Sequence, residues 1–436
     1  MKRSEILVGA CLSGALLAAC GGSHGASSPG SIVTPAVTAL GLSDEKILYS
    51  FHGGGDGRNP ESALLDMGGT LYGATEYGGQ ASCGNGSPGC GTIFKIQTSG
   101  AGYRVLHRYA QNGKEGDLPI AGVIYADGTL YGTTEWGGGM GCAVAGGCGT
   151  AFELDPSGIH YRVIHHFSGI DLSDGILAGV LHRDGALYGA TAGNYDGTCL
   201  RRCGTLFEVN SGLQRTTTLH KFAQLGRNGN DPVFNPIDVN GALYGTTVIG
   251  GDLSCDYPYG CGVIFKIRLS GKRYTVLHRF TGVQDGAFPN NLIERNGFLY
   301  GTTSGGGSAC GCGTVFKVNI PSGRESVLYR FQGGSDGMNP TSLLAGVNGT
   351  LYSTTTFGGA ERCNDFSYTG CGTVFEIKTS GTGYHVLYRF QGRDDGANPM
   401  RNGVIDVNGS LYGMTYFGGG SGCKGTGCGT VFRVRL

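Results

Sequence analysis

The tripeptide Leu-Tyr-Gly, once Leu-Tyr-Ser, recurs seven times, with its leucine at 71, 130, 187, 243, 299, 351 and 411. Each copy leads to Cys-Gly-Thr-Val-Phe or a close variant, with phenylalanine at 94, 152, 207, 265, 316, 375 and 432. A third element follows every copy but the last and ends in Tyr109, Phe167, Phe222, Phe280, Phe331 and Phe390. Steps of 52 to 60 residues suit a supersecondary unit of four short strands, whereas a β-solenoid needs a much shorter period. In the sixth copy the strands fall near Thr341–Val347, Thr350–Thr355, Gly372–Ile377 and Gly383–Phe390. Alternation of β-branched and aromatic residues marks the second and third of these. Asn348-Gly349, echoed by Asn240-Gly241, Asn296-Gly297, Asn408-Gly409 and Asp184-Gly185, supplies the positive-φ pair of a tight hairpin.

Closure of the array is also written in the chain. The last copy ends at Phe432-Arg433-Val434-Arg435-Leu436 without a fourth strand, and the spare one stands first, as Ile47-Leu48-Tyr49-Ser50-Phe51. An N-terminal strand that completes the last blade fastens a ring and removes open sheet edges. The expected fold is therefore all-β, a seven-bladed β-propeller with four antiparallel strands per blade and the N-terminal strand closing the last. Its 86 glycines fit tight turns, and 22 Tyr with 19 Phe supply a core.

The repeats resemble the GloVer (Gloeo–Verruco) tandem-repeat family of exported bacterial proteins. The residues that carry the resemblance are Leu299-Tyr300-Gly301-Thr302-Thr303-Ser304-Gly305-Gly306-Gly307, Gly313-Thr314-Val315-Phe316-Lys317-Val318, and Asp336-Gly337 before Pro340. The resemblance spans Ile47 to Leu436 and implies an exported, propeller-like protein with no particular activity.

The N-terminus reads as a targeting segment. A basic head, Lys2-Arg3, precedes an apolar run from Ile6 to Ala19 and the lipobox-like Leu17-Ala18-Ala19-Cys20. The expected organisation is a lipoprotein signal at 1–19, a Gly/Ser/Pro-rich tether at 20–42 with Cys20 lipidated, and the propeller at 43–436. That places the protein outside the cytoplasm, anchored to a lipid bilayer at the outer membrane or cell surface. Lys+Arg and Asp+Glu are balanced at 32 each, so net charge gives no field to draw nucleic acid or an anionic membrane.

Fourteen cysteines fall two to a blade: Cys83/Cys90, Cys142/Cys148, Cys199/Cys203, Cys255/Cys261, Cys310/Cys312, Cys363/Cys371 and Cys423/Cys428. Each pair flanks the loop between strands two and three, where hairpin ends lie close enough to bridge, and export favours disulfides. Closing so short a loop contributes about 2 kcal/mol in the chain-entropy model. Zinc would need four ligands converging, so no metal and no cofactor are expected. Cys310-Gly311-Cys312 is the least comfortable pair, a bridge across one residue.

Loops from strand two to three and from strand four to the next strand one emerge on one face, the candidate functional face. It carries an acid before each first strand (Asp56, Asp117, Asp174, Asp231, Asp285, Asp336, Asp395), read chiefly as turn-fixing. An apolar residue often follows strand two: Tyr77, Trp136, Ile249, Phe357 and Phe417. Of these, Trp136 is expected to be partly exposed. The third unit departs furthest from consensus, with Tyr195, Asp196, Arg201 and Arg202 as candidate contacts. A basic residue before the strand-four aromatic, such as Arg108, Arg279 or Arg330, reads as a solvated edge charge. No nucleophile elbow, HExxH, P-loop or redox motif is present. The reading is a module that binds a glycan or protein ligand. The alternatives are a lyase or hydrolase built on the third unit, or a scaffold.

Overall fold

The computed structural model describes residues 45–436 apart from 81–82, 84–86, 111–113, 140–146, 169–174, 193–202, 211, 213–214, 224–225, 257–258, 360–362, 364–369 and 402. Seven antiparallel sheets follow one another along the chain. The first runs from the inner strand Leu65–Met67 through Thr70–Thr75 and Thr92–Gln97 to the outer strand Arg104–Arg108. In the seventh, Val404–Val407, Ser410–Thr415 and Thr430–Arg435 are completed by Glu45–Ser50 from the opposite end of the chain. Glu45 lies opposite Val434 and Ser50 opposite Thr430, so the ring is a seven-bladed β-propeller closed as the sequence implies.

The two sequence motifs are halves of one packing event. Gly73 of Leu-Tyr-Gly lies opposite Phe94 of the third strand, and a Cβ on it would stand 2.7 Å from the Phe94 ring. Gly132, Gly189, Gly245, Gly301 and Gly413 meet Phe152, Phe207, Phe265, Phe316 and Phe432 in the same way, at 2.5–2.6 Å. Each phenylalanine is fully buried because the missing side chain opposite makes room for its ring. The sixth blade has Ser353 there, its hydroxyl donating to the Ser342 carbonyl at 2.8 Å. At the loop end of the same strands, paired threonines close the ladder hydroxyl to hydroxyl: Thr75 with Thr92 at 2.8 Å, Thr415 with Thr430 at 2.8 Å.

The inner strands differ from expectation. In place of an unbroken Thr341–Val347, the sixth blade has Met338–Pro340 and Leu344–Ala345, with a tight turn over Val347–Gly349. Asn339, held at φ 54°, lies in the first piece, and past it Ser342 gives its N–H to the Arg401 carbonyl at 3.1 Å and not to the ladder.

That left-handed residue is the hinge pin between blades. Asn59, Leu118, Asp231, Phe288, Asn339 and Asn398 all have φ between 52° and 60°. Each donates its backbone N–H to the carbonyl of the second cysteine of the preceding blade: Cys428, Cys90, Cys203, Cys261, Cys312 and Cys371, at 2.7–3.2 Å. Nearer the rim a second joint repeats. Tyr49 stacks on Tyr103 at 3.8 Å between centroids, His107 on Tyr161 at 3.9 Å, His220 on Tyr274 at 4.0 Å and Tyr329 on Tyr384 at 3.9 Å. Burial lowers the pKa of His107, against the pull of Glu115, and that of His220. The tyrosine of each pair also donates to a loop carbonyl, as Tyr384 does to Asp336 at 2.6 Å.

The close fit of glycine to ring gives a direct test. Gly301→Ala is expected to cost about 1–3 kcal/mol of stability in denaturant titration, because its Cβ overlaps the Phe316 ring. Phe316→Leu in the same chain should recover part of that loss as a coupling energy, which independent defects would not show.

Candidate functional site

The loop face is stapled by disulfides. Cys83–Cys90, Cys255–Cys261, Cys310–Cys312, Cys363–Cys371 and Cys423–Cys428 are bridged, with Cα–Cα distances of 4.9–5.6 Å. Cys148 and Cys203 are disulfide-bonded as well, and Cys142 and Cys199 lie outside the described residues. The pair across Gly311 is thus closed. Among the described residues, one group brings metal-ligand atoms together, Cys83, Cys90 and Asp117. Both sulfurs are committed to the bridge. Burial pushes the Asp117 carboxyl up to about 7, and one of its oxygens touches Cys83 Sγ at 3.2 Å.

The repeated acids are consumed by their own turns. Asp56 accepts from the His52 N–H at 2.9 Å and the Tyr49 hydroxyl at 2.9 Å. Asp336 accepts from the Gln332 N–H at 2.8 Å and the Tyr329 hydroxyl at 2.6 Å. Asp285 and Asp395 are held alike, by Thr281 and His278 and by Gln391 and Tyr388. Asp117 and Asp231 are not their equivalents. They follow the loop glycine, at Gly116 and Gly229, and the matching places are Glu115 and Asn228. Asp174 lies outside the described residues. The basic residues of the outer strand are likewise more than edge charges: Arg108, Arg279 and Arg330 donate from Nε to the carbonyls of Gly55, Arg227 and Gln284 at 2.8–3.1 Å.

Asymmetry enters at one position, the residue just after the strand-two threonine. It reads Glu76, Glu135, Ala192, Val248, Ser304, Thr356 and Tyr416 around the ring. Its backbone N–H bonds the hinge-pin carbonyl of the same blade, as Glu76 does to Asn59 and Tyr416 to Asn398. The side chain is therefore free to differ.

Blades two to four build an apolar wall there. Leu118, Ile120, Leu177, Ala192 and Val233 form one buried cluster, with Tyr77, Trp136, Phe234 and Val248 packed against it. The other buried clusters join two neighbouring blades, whereas this one joins residues of blades one to four, which places it where the blades converge, toward the ring axis.

Blades seven, one and two build the opposite, polar wall. Arg401 Nε is ion-paired with Glu61 and lies in the field of Glu135 and Glu76. The Tyr416 hydroxyl donates to Glu76 Oε2 at 2.6 Å, and Tyr77 bonds the same carboxyl. Burial, with the charges of Glu61 and Glu135, pushes Glu76 up to about 8. Burial, with the charges of Glu76 and Glu61, raises the Tyr416 hydroxyl far above its ordinary value, so it remains a donor. The arrangement offers two carboxylates, a proton-bearing carboxyl, a guanidinium and phenol hydroxyls beside half-exposed aromatic rings.

Of the residues singled out from sequence, Tyr77 and Trp136 stand at this axial site, half-buried. Phe417 is half-buried in the seventh blade, 4.7 Å from the Tyr416 ring. Phe357 ends the second strand of the sixth blade opposite Met338, and Ile249 is bridged to Asn230. Tyr195, Asp196, Arg201 and Arg202 lie outside the described residues, as does Cys20. Sequence reading missed Glu61, Glu76, Glu135, Arg401 and Tyr416. For Glu76, Glu135 and Tyr416 the available signal was departure from the repeat at a fixed register, not the repeat itself.

Glu76 gives a pH test. Its pKa rises from an ordinary 4.5 to about 8 in the fold, so between those values the folded chain holds a proton that the unfolded chain has released. Its contribution is full below pH 4.5 and is lost as pH rises through 8. Thermal melts should therefore show the parent losing stability relative to Glu76→Gln from pH 5 to pH 9. Parallel curves would contradict the buried, proton-bearing carboxyl.

The chain is similar in fold to an oligogalacturonate lyase in complex with manganese, at a TM-score of 0.52 and 10% identity, over 91% of this chain and 94% of that one. It is also similar to an oligogalacturonate lyase from Vibrio parahaemolyticus, at 0.55 and 8%, over 91% and 95%. Identities this low show shared architecture alone. No curated protein matches the sequence. The Gloeobacter/Verrucomicrobia repeat matches residues 83–311, 140–366 and 290–436, and the chain belongs to that family of repeat proteins.

Proposed function

We propose that the protein is an exported, lipid-anchored binding module that takes a glycan at the axial site of its loop face. The observation that carries this reading is the meeting of unlike groups at one place in an otherwise repetitive ring. Glu61, Glu135 and Arg401 offer charged hydrogen-bond partners for hydroxyls, while Tyr77 and Trp136 present aromatic surface to the apolar side of a sugar ring. The disulfides suit an oxidising compartment, in keeping with export. Anchoring through Cys20, at an outer membrane or cell surface, is part of the same proposal.

A second reading rests on Glu76. A carboxyl with a pKa near 8, hydrogen-bonded to a tyrosine, is poised to exchange protons near neutrality. A hydrolase or lyase would then use the axial cluster and not the third unit.

The first reading is tested by screening the oxidised protein on a glycan array and titrating any hit. Trp136→Ala and Glu135→Gln should each weaken binding about tenfold or more, with Phe357→Ala close to the parent. Absence of any captured glycan, or equal binding by all three variants, would overturn it. Turnover of a captured glycan that disappears in Glu76→Gln would favour the second reading.

A further inference from the structure

One cysteine bridge of the loop face differs from the others in span and in exposure. Cys310–Cys312 closes over a single residue, at a sequence separation of 2, where the other bridges described at both ends have separations of 7, 6, 8 and 5. The loop that carries it is the shortest of the seven, running from Thr303 to Cys312 where the sixth blade has Thr355 to Cys371. Gly311 spans the gap at φ 65°, a left-handed conformation that glycine adopts without strain. Among the described cysteines Cys310 alone is exposed, while its partner Cys312 is fully buried.

Both differences make this bridge the easiest to open. So small a closed loop restricts the unfolded chain least, so the fold depends on this bridge less than on the wider ones. An exposed sulfur is also the one that a thiolate from solvent can reach. Attack on Cys310 Sγ expels Cys312, whereas the buried sulfur is shielded from the reverse approach. The Ser308 hydroxyl stands 3.1 Å from Cys310 Sγ and 2.9 Å from the Phe331 carbonyl. With the bridge closed it donates to the carbonyl. With Cys310 as a thiolate it can turn to the sulfur, and a donor to the charged form favours that form. Ser308, Ala309 and Gly311 are small, which leaves room beside Cys310 for a peptide backbone.

We infer that Cys310–Cys312 is a thiol–disulfide exchange centre that passes its bridge to a cysteine pair in an extended peptide or unfolded protein segment. The first thiol of the peptide loses its proton to solvent and attacks Cys310 Sγ. The Cys310–Cys312 bond breaks, and its electron pair leaves with Cys312, which takes a proton from solvent. The second thiolate of the peptide then attacks the peptide sulfur of the mixed disulfide, which closes the peptide bridge and releases Cys310. The peptide is oxidised and the cysteine pair reduced by the same two electrons. A low-molecular-weight disulfide, such as oxidised glutathione, restores the bridge by two further exchanges and leaves as its thiol. The centre draws on no residue of the axial site and stands apart from the glycan reading.

The test begins with the oxidised full chain in graded ratios of reduced to oxidised dithiothreitol, followed by alkylation and peptide mass spectrometry. Cys310 and Cys312 should label at a reductant ratio about tenfold or more below that needed for Cys423 and Cys428. A reduced two-cysteine peptide is then offered with oxidised glutathione as terminal oxidant. The parent should oxidise it about tenfold or more faster than Cys310→Ala/Cys312→Ala, and Cys423→Ala/Cys428→Ala should match the parent. Single variants check the order of attack: Cys312→Ala should take up glutathione at Cys310, and Cys310→Ala should leave Cys312 unmodified. Circular dichroism establishes that the variants keep the fold, and the labelling of the parent stands without them. Opening of Cys310–Cys312 no earlier than Cys423–Cys428 would overturn the inference. Peptide oxidation unchanged in the Cys310→Ala/Cys312→Ala variant, or glutathione uptake at Cys312, would do the same.

Discussion

Six blade-to-blade joints among the described residues are held by a backbone hydrogen bond onto a cysteine carbonyl, and the geometry of that bond governs much of the rest. The donor must be left-handed, which explains asparagine at three of the six joints. The residue after it is proline in all six, and the glycine after the cysteine has no room for a side chain. A Cβ on Gly91 would stand 2.5 Å from Pro119, and one on Gly429 2.4 Å from Pro60. The Cys-Gly and Asn-Pro elements, some thirty residues apart, are thus the two sides of one contact. One such hydrogen bond adds about 1 kcal/mol, so the joint draws its strength from repetition. The disulfide fixes the acceptor: it closes the loop that ends at the carbonyl.

The same constraint decides where function can be written. Most positions in the repeat are committed, to a ring against a glycine, a hydroxyl against a hydroxyl or an aspartate inside its turn. The residue after the strand-two threonine is committed through its backbone only. Evolution could place glutamate, alanine, valine or tyrosine there without disturbing the ladder. The outcome is an axis with one apolar wall and one polar wall on a scaffold that remains sevenfold. Burying Glu61 beside Arg401 costs desolvation that their pairing offsets, so this ion pair is weak support for stability and better understood as positioning.

Much of the architecture was legible because it is periodic. Leucine, glycine, phenylalanine and cysteine recur at fixed registers, and a strand missing at one end and present at the other announces closure. What periodicity could not show was which residues from different blades converge. Glu61 and Arg401 are 340 positions apart in the chain and pair across the closing joint. The aspartates nearest proline are also out of register by two or three positions in blades two and four, since Asp117 and Asp231 stand beyond the loop glycine. Register relative to Gly116 and Gly229, not proximity to proline, is what aligns the blades. Nor does the repeat show that His107 and His220 on the outer strands are stacking partners across the joint, taking the place that tyrosine has in other blades because both rings are flat.

Sidedness follows from how a four-stranded blade must be connected. Antiparallel pairing sends the long loops to one face and the tight turns to the other, and the two faces then obey different chemistry. Loops that must be fixed in shape take disulfides and turn-capping aspartates, which load that face with buried, hydrogen-bonded acid. Tight turns need only glycine or asparagine at their positive-φ corners. Closure by an N-terminal strand adds the last constraint. An outer strand always runs from the turn face to the loop face, so a chain that supplies this strand first must reach the ring at the turn face. The face whose loops carry the disulfides is the stiffer of the two. Rigidity at that face limits the ordering entropy a ligand must overcome, which is where a stapled ring has an advantage over a flexible one.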